Sequence, residues 1–317
     1  MEPLVKTIDL RKYFKVNTGL LRAVDGVSIE IKKGQTLGVV GESGCGKSTL
    51  GRLVLRLLEP TSGKVLFEGR DILKYSWQEM KKARRQMQII FQDPFSSLNP
   101  RMSVFDLIAE PLIMNHACKS RREMTERTLD LMNTVGLAER FVNAYPHEMD
   151  GGRRQRIGIA RALALKPPFI VCDEPVSALD VSIQAQILNL VMDLQEEMGL
   201  TYMFITHDLS VVKHISNEIA VMYLGQCVER AGAKELFKNP LHPYTKALLS
   251  AIPVPRLTGT RNRQIIRGEV SDPINPKPGC RFASRCDYCE RKCLGQDIHL
   301  EDLGNGHFVA CRLYQGS

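Results

Sequence analysis

The chain of 317 residues reads as an α/β protein with a largely parallel sheet, on three observations. Short apolar runs of strand length alternate with segments of helical period, a glycine-rich turn joins one such run to a helix, and a second run ends in two adjacent carboxylates. Ligands of open α/β sheets sit at the carboxyl ends of strands, so both endings mark a candidate site.

Taken in order, residues 4–10 and 24–31 alternate as strands do, and 36–40 form an apolar run. A glycine loop and an apolar helix over 47–58 follow, then a short edge strand at 66–67 and another strand at 87–91. From 103 to 165 apolar residues recur every three or four positions, which predicts helices. Residues 169–172 predict a buried strand, 183–198 a helix, 202–206 a second buried strand and 209–215 a short helix. Beyond about residue 239 the texture changes. Seven of the sixteen prolines fall between Pro240 and Pro278, which disfavours regular elements and reads as a linker.

A net charge of +8 is dispersed, with short clusters only at Lys81–Arg85 and Arg153-Arg154, so it reads as solvated surface and no nucleic-acid partner is expected. No run of 18 apolar residues is present and the N-terminus lacks the pattern of a signal peptide, so a cytoplasmic location is expected. Of nine cysteines, Cys45, Cys118, Cys172 and Cys227 lie apart, whereas Cys280, Cys286, Cys289, Cys293 and Cys311 crowd the tail. In a reducing compartment that crowding suggests metal before disulfide.

Gly41-Glu42-Ser43-Gly44-Cys45-Gly46-Lys47-Ser48-Thr49 satisfies the phosphate-loop pattern between a strand and a helix. Backbone N–H groups turned inward by the glycines, with the helix N-terminus behind them, suit phosphate. Lys47 is placed for the β- and γ-phosphates of ATP and Ser48 for Mg²⁺. The apolar strand before Asp173-Glu174-Pro175 delivers one carboxylate suited to Mg²⁺ and another suited to polarise water.

Residues 147–162, His-Glu-Met-Asp-Gly-Gly-Arg-Arg-Gln-Arg-Ile-Gly-Ile-Ala-Arg-Ala, resemble the signature segment of ATP-binding cassette (ABC) ATPases. Three single residues match that family in order and spacing: Gln92 in Ile-Ile-Phe-Gln-Asp-Pro, Asp180 in Ser-Ala-Leu-Asp, and His207 in Phe-Ile-Thr-His-Asp. The resemblance implies that Gln92 senses Mg²⁺ and the γ-phosphate, that Asp180 touches a partner subunit, and that His207 contacts the γ-phosphate. It also implies an aromatic residue stacked on adenine. Tyr13 and Phe14 are adjacent, so on a strand only one can stack, and the family pattern favours Phe14.

The run from Phe91 to Arg101 and Asn239-Pro-Leu-His-Pro-Tyr-Thr-Lys-Ala-Leu-Leu are similar to the ATP-binding subunits of oligopeptide, dipeptide and nickel importers, as is the cysteine tail. The resemblance implies an ABC ATPase domain over 1–238, with an antiparallel β edge and a helical subdomain at about 93–165. A proline-rich linker and a small cysteine-rich module over 239–317 complete it. Implied partners are two transmembrane permease subunits, a second and different ATPase subunit sharing two ATP sites, and indirectly an extracellular peptide-binding protein. The place implied is the cytoplasmic face of the membrane. A soluble ABC ATPase acting on nucleic acid or ribosomes is the alternative, and the chain shows neither the long coiled-coil insertion nor the second cassette usual in those.

Two features depart from the pattern or extend it. Asp150 stands where the family has serine and Arg153 where it has glutamine. A carboxylate cannot donate to a phosphate; aspartate is also among the best helix N-caps, so Asp150 either opposes a phosphate beside Gly151 and Gly152 or caps the helix they begin. In the tail, Cys280, Cys286, Cys293 and Cys311 match the family, with Cys289 additional. Thiolates suit a 4Fe-4S cluster or zinc, and the wide intervals favour the cluster.

Overall fold

The computed structural model describes residues 2–93, 95–252 and 273–315. In chain order it forms β1 (Pro3–Val16), β2 (Gly19–Val27), β3 (Glu30–Lys32), β4 (Thr36–Val40), α1 (Lys47–Val54), β5 (Ser62–Phe67), β6 (Arg70–Asp71), α2 (Trp77–Gln86) and β7 (Met87–Ile90). Then come α3 (Val104–Met114), α4 (Arg121–Thr134), α5 (Gly151–Leu163), β8 (Phe169–Asp173), α6 (Val181–Met198), β9 (Thr201–Thr206) and α7 (Leu209–Ile215). The last elements are β10 (Glu218–Tyr223), β11 (Gln226–Gly232), α8 (Ala233–Lys238), α9 (Pro243–Ala251), β12 (Glu301–Asp302) and β13 (Phe308–Val309). The chain divides into two compact units, residues 1–74 with 204–317, and residues 75–203.

The first unit holds the antiparallel edge that the sequence predicts. β1 pairs antiparallel with β2, β3 and β5. It runs beyond residue 10 because Asp9 takes a left-handed φ of 44°, and register shifts beside it let the strand bend and continue, half-exposed, along β2. β4 is buried at every position and lies parallel to β10, as expected of a strand covered on both faces. β10 in turn pairs antiparallel with β11; neither is among the strands expected above.

α1 stops at Val54, short of the expected residue 58. Arg56 sits at φ 49°, outside right-handed helix, where its guanidinium donates to the Ile72 carbonyl at 2.8 Å. In the second unit β7 and β8 are parallel, and β8 is buried throughout. The helical texture of 103–165 resolves into α3, α4 and α5, opened by Ser103, Ser120 and Asp150, whose side chains accept from N–H groups of the first turn.

The described part of the C-terminal segment, residues 273–315, clusters with the first unit. β13 adds to β11, and the Asn275 side chain accepts from the Leu20 N–H at 2.9 Å. Glu229 on β11 is fully buried and accepts from the N–H groups of Leu241 (2.7 Å) and His242 (2.9 Å), while His307 Nε2 lies 2.8 Å from the same carboxylate. A stretch this short has little apolar surface of its own, so it is held through such polar contacts. Pro243 takes the first position of α9. The remainder of the expected linker, 253–272, lies outside the described residues, as does Pro94.

Glu229→Ala leaves these buried donors without an acceptor, and the expected cost is roughly 3 kcal/mol of unfolding free energy. Urea denaturation of the full chain measures it.

Candidate ATP-binding and signature sites

The phosphate-loop half of the site lies in the first unit, between β4 and α1. Gly41 (φ 154°) and Gly46 (φ 100°) are left-handed, and a Cβ on either would run into a carbonyl oxygen, that of Met222 or of Ala23. Only glycine lets the loop pass so close to its neighbours. Gly46 is the N-cap of α1 and no side chain occupies that cap, so the helix N-terminus presents backbone N–H groups. Lys47 is 4% exposed, and its Nζ donates to the carbonyls of Gly41 (2.9 Å) and Glu42 (3.0 Å). Burial pushes the Cys45 thiol up, so it stays protonated as a small loop residue.

His207 follows β9 and is exposed; its neighbour Asp208 caps α7 by accepting from the Ser210 N–H at 2.7 Å. Of the two aromatic candidates, Tyr13 is engaged within the sheet. Its phenol donates to the Asp25 carboxylate and the Arg22 guanidinium lies 5.6 Å from its ring. Phe14, on the other face of β1, has Lys12 Nζ at 5.0 Å from its ring.

The second unit holds the carboxylates and the signature. Asp173 ends β8 and is 3% exposed. Glu174, half-buried, follows at φ 47°, a strained position for a side-chain-bearing residue that costs about 1–3 kcal/mol and is common at active sites. Its carbonyl accepts from the Ser177 hydroxyl at 3.1 Å, which closes the turn. Gln92, two residues after β7, donates from Nε2 to Glu174 Oε2 at 3.0 Å. The geometry thus joins two residues, 82 apart in sequence, that the motifs had singled out separately.

Asp150 is a helix cap. One carboxylate oxygen accepts from the Arg153 N–H at 2.8 Å and the other lies 3.1 Å from the Arg153 guanidinium, which itself sits 4.7 Å from the Phe141 ring. Of the two alternatives left open by the sequence, capping is the one this geometry displays. A Cβ on Gly151 would lie 2.9 Å from Leu179, and one on Gly152 2.7 Å from Ile183. Glycines therefore let the start of α5 close on the turn that carries Asp180, the exposed N-cap of α6. Further along α5, Arg154 packs 5.0 Å from the Phe95 ring and Arg161 donates to the Ser97 carbonyl at 2.7 Å. Neither contact was evident in the sequence.

In the tail, Cys280, Cys286, Cys289, Cys293 and Cys311 line one pocket with His242, Phe282 and Ile298. The spacing gathers them as expected, but not as ligands: among the described residues no group of three or more His, Cys, Asp or Glu side chains is arranged to hold a metal ion. Burial pushes the Cys280 thiol up to about 12 and raises those of Cys286, Cys289 and Cys311. Metal ligands must be thiolates, so the 4Fe-4S cluster or zinc expected from the sequence has to displace these protons as it binds.

Comparison with known proteins follows the same lines. The ABC transporter family model matches residues 24–177, and that of the oligopeptide/dipeptide transporter C-terminal region matches residues 228–293. The oligopeptide transport ATP-binding protein AppF of Bacillus subtilis (strain 168) is 51% identical, over 99% of this chain and 98% of its own. The dipeptide transport ATP-binding protein DppF of Haemophilus influenzae is 50% identical, over 98% of this chain and 96% of its own. Among solved structures, the ATP-binding cassette MJ0796, a dimer in a post-hydrolysis state bound to ADP and Pi, matches with a TM-score of 0.67 at 32% identity, over 72% of this chain and 98% of that one. CbiO1 from Clostridium perfringens, part of the transporter complex cbiONQ, gives 0.67 at 28% identity, over 75% and 92%. The phosphate loop, the carboxylate pair and the signature helix on this fold are the parts of an ABC ATPase. Within that class the chain belongs to the ATP-binding subunits of oligopeptide and dipeptide ABC transporters.

If Asp150 acts as a cap, Asp150→Ala lowers stability by about 1 kcal/mol while Asp150→Ser stays within about 0.5 kcal/mol of the parent. Denaturant midpoints of the two variants check this.

Proposed function

We propose that this chain hydrolyses ATP to drive the import of di- and oligopeptides, at the cytoplasmic face of the membrane and in complex with two transmembrane permease subunits. The observation that carries the peptide reading is the near-full-length likeness to AppF and DppF, which reaches into the tail. Among the described residues no helix is long and apolar enough to cross a membrane, consistent with a peripheral subunit. Exposed apolar side chains on the second unit, among them Phe95, Ile113 and Met114, are candidates for contact with a permease.

The residues take the following parts. The loop amides other than those of Glu42 and Cys45, which donate to Tyr244 and to the Glu42 carbonyl, and the N-terminus of α1 receive the phosphates, Lys47 neutralises the β- and γ-phosphates, and Ser48 and Asp173 would hold Mg²⁺. Mg²⁺ bound there would supply charge neutralisation of the transferred phosphoryl group. Glu174 accepts a proton from the attacking water, oriented by Gln92, and His207 faces the γ-phosphate. Thr49 continues the loop into α1, and Phe14 stacks on adenine, since Tyr13 is tied to Asp25.

We further infer a dimer with a second, different ATPase subunit. Each site then combines one subunit's phosphate loop with the other's signature. Asp150 can only accept, and its oxygens are engaged by Arg153, so the site completed by this chain's Gly151 and Gly152 is the slower one. For the tail we retain the 4Fe-4S reading as the finer proposal, because the thiols share one pocket. Ligation then requires the side chains to turn inward and lose their protons.

Glu174→Gln is the test of the catalytic reading. In the assembled transporter it is expected to lower ATP turnover about 100-fold and to trap an ATP-bound dimer; a residual rate near half would mean two equal sites and would sink the asymmetry. Chain purified without oxygen is expected to be brown, with broad absorbance near 400 nm, if the cluster reading holds. Colourless protein with one equivalent of zinc would overturn it.

A further inference from the structure

Residue 42 ties the cysteine-bearing tail to the phosphate loop. The Glu42 N–H donates to the Tyr244 phenol oxygen at 2.9 Å, and its carbonyl accepts from Lys47 Nζ at 3.0 Å. Its carboxylate takes both guanidinium arms of Arg285, at 2.9 and 3.3 Å. The Arg285 side chain is only 7% exposed and also donates to the Tyr223 phenol oxygen at 3.3 Å. An exposed pair of this kind contributes little, but a bidentate pair with one partner withdrawn from water leaves a costly charge when it is broken.

Arg281 does the same on the far side of the loop. Its guanidinium donates to the Asp25 carboxylate and to the Leu224 carbonyl. Leu224 is left-handed (φ 42°), and the next residue, Gly225, donates its N–H to the Cys45 carbonyl at 2.9 Å. Between the two arginines Phe282 packs edge-on against Tyr223 at 5.3 Å and tilted against Tyr244 at 5.4 Å, which fixes the segment on the aromatic wall beside the loop. The run Cys280-Arg-Phe-Ala-Ser-Arg-Cys286 therefore has two faces. Its cysteines line the tail pocket, Arg285 bonds the loop at Glu42, and Arg281 bonds Asp25 and Leu224, whose neighbour Gly225 bonds the loop.

We propose that Arg285, assisted by Arg281, is a positioning residue for ATP binding, holding the Glu42 peptide so that Lys47 and the loop amides keep their places for phosphate. The proposal rests on the ATPase reading of the phosphate loop. It makes the tail part of the nucleotide site, with Arg281 and Arg285 directly adjacent in sequence to Cys280 and Cys286.

The test uses the full chain and titration with a fluorescent ATP analogue, alongside thermal melting. Arg285→Ala is expected to weaken the analogue about tenfold, and Arg285→Lys to recover part of that loss. Glu42→Gln alone is expected to weaken binding comparably, and in the Arg285→Ala background to add less than about twofold, because both remove one interaction. A merely structural role lowers the melting temperature and leaves affinity within twofold of the parent, and that result would overturn the proposal, as would additive effects. Should Arg285→Ala fail to fold, Glu42→Gln reads the same contact, and unchanged affinity there is equally fatal. Lys47→Ala is the control on the underlying reading: if it still binds the analogue, the ATPase assignment itself fails, whatever Arg285 does.

Discussion

A loop built from backbone has to be held by something other than its own side chains, and this is the constraint on which the first unit is organised. The phosphate loop passes so close to the carbonyls of Ala23 and Met222 that no Cβ fits at Gly46 or Gly41. Its inward N–H groups must stay available to phosphate, so its carbonyls face outward and need donors. The Lys47 ammonium serves the carbonyls of Gly41 and Glu42, and the Gly225 N–H serves that of Cys45. β2, the turn between β10 and β11, α9 and the tail all converge there because each supplies a wall or a donor. The Lys47 ammonium is nearly buried and is stabilised there by the loop carbonyls.

What could be read from the sequence follows from whether an interaction is local. The phosphate loop, the strand that ends in Asp173 and the caps at Ser103 and Ser120 are set within a few residues, so spacing and residue type reveal them. Gln92 and Glu174 were found one at a time through order and spacing; their hydrogen bond needs the parallel pairing of β7 with β8. Arg281 and Asp25 lie 256 residues apart, and no periodicity links them. β10 carries the same short apolar run, at 219–223, that predicts the strands at 169–172 and 202–206, and its burial comes from pairing with β4 and β11. The end of α1 was missed because Arg56 gives up helical geometry for a carbonyl sixteen residues away.

The cysteine tail shows the limit of spacing as evidence. Five thiols line one pocket, yet among the described residues no group of three or more is arranged to hold a metal ion. Ligand geometry depends on which rotamers the surrounding side chains permit, and intervals do not encode that. What holds this segment in place is better defined by the residues between the cysteines. Arg281, Phe282 and Arg285 have buried or aromatic partners, whereas the thiols have mostly each other and the pocket wall.

The second unit uses a helix where the first uses a loop. α5 begins on the turn of Leu179 and Asp180, through the close approach that Gly151 and Gly152 allow, and grips the segment after Gln92 through Arg154 on Phe95 and Arg161 on Ser97. Being one hydrogen-bonded rod, it cannot tilt at the signature end without moving the Gln92 segment, and Gln92 is bonded to Glu174. Asp150 fits this arrangement better than serine in one respect, since its second oxygen pairs with Arg153 while the first caps the helix. It fits worse in another, because a carboxylate has no proton to donate toward phosphate. The substitution thus trades a ligand contact for a firmer helix start. On the proposed reading of a dimer whose other signature keeps a donor, that trade would leave this chain's own phosphate loop with a complete set of partners and weaken only the site across from it.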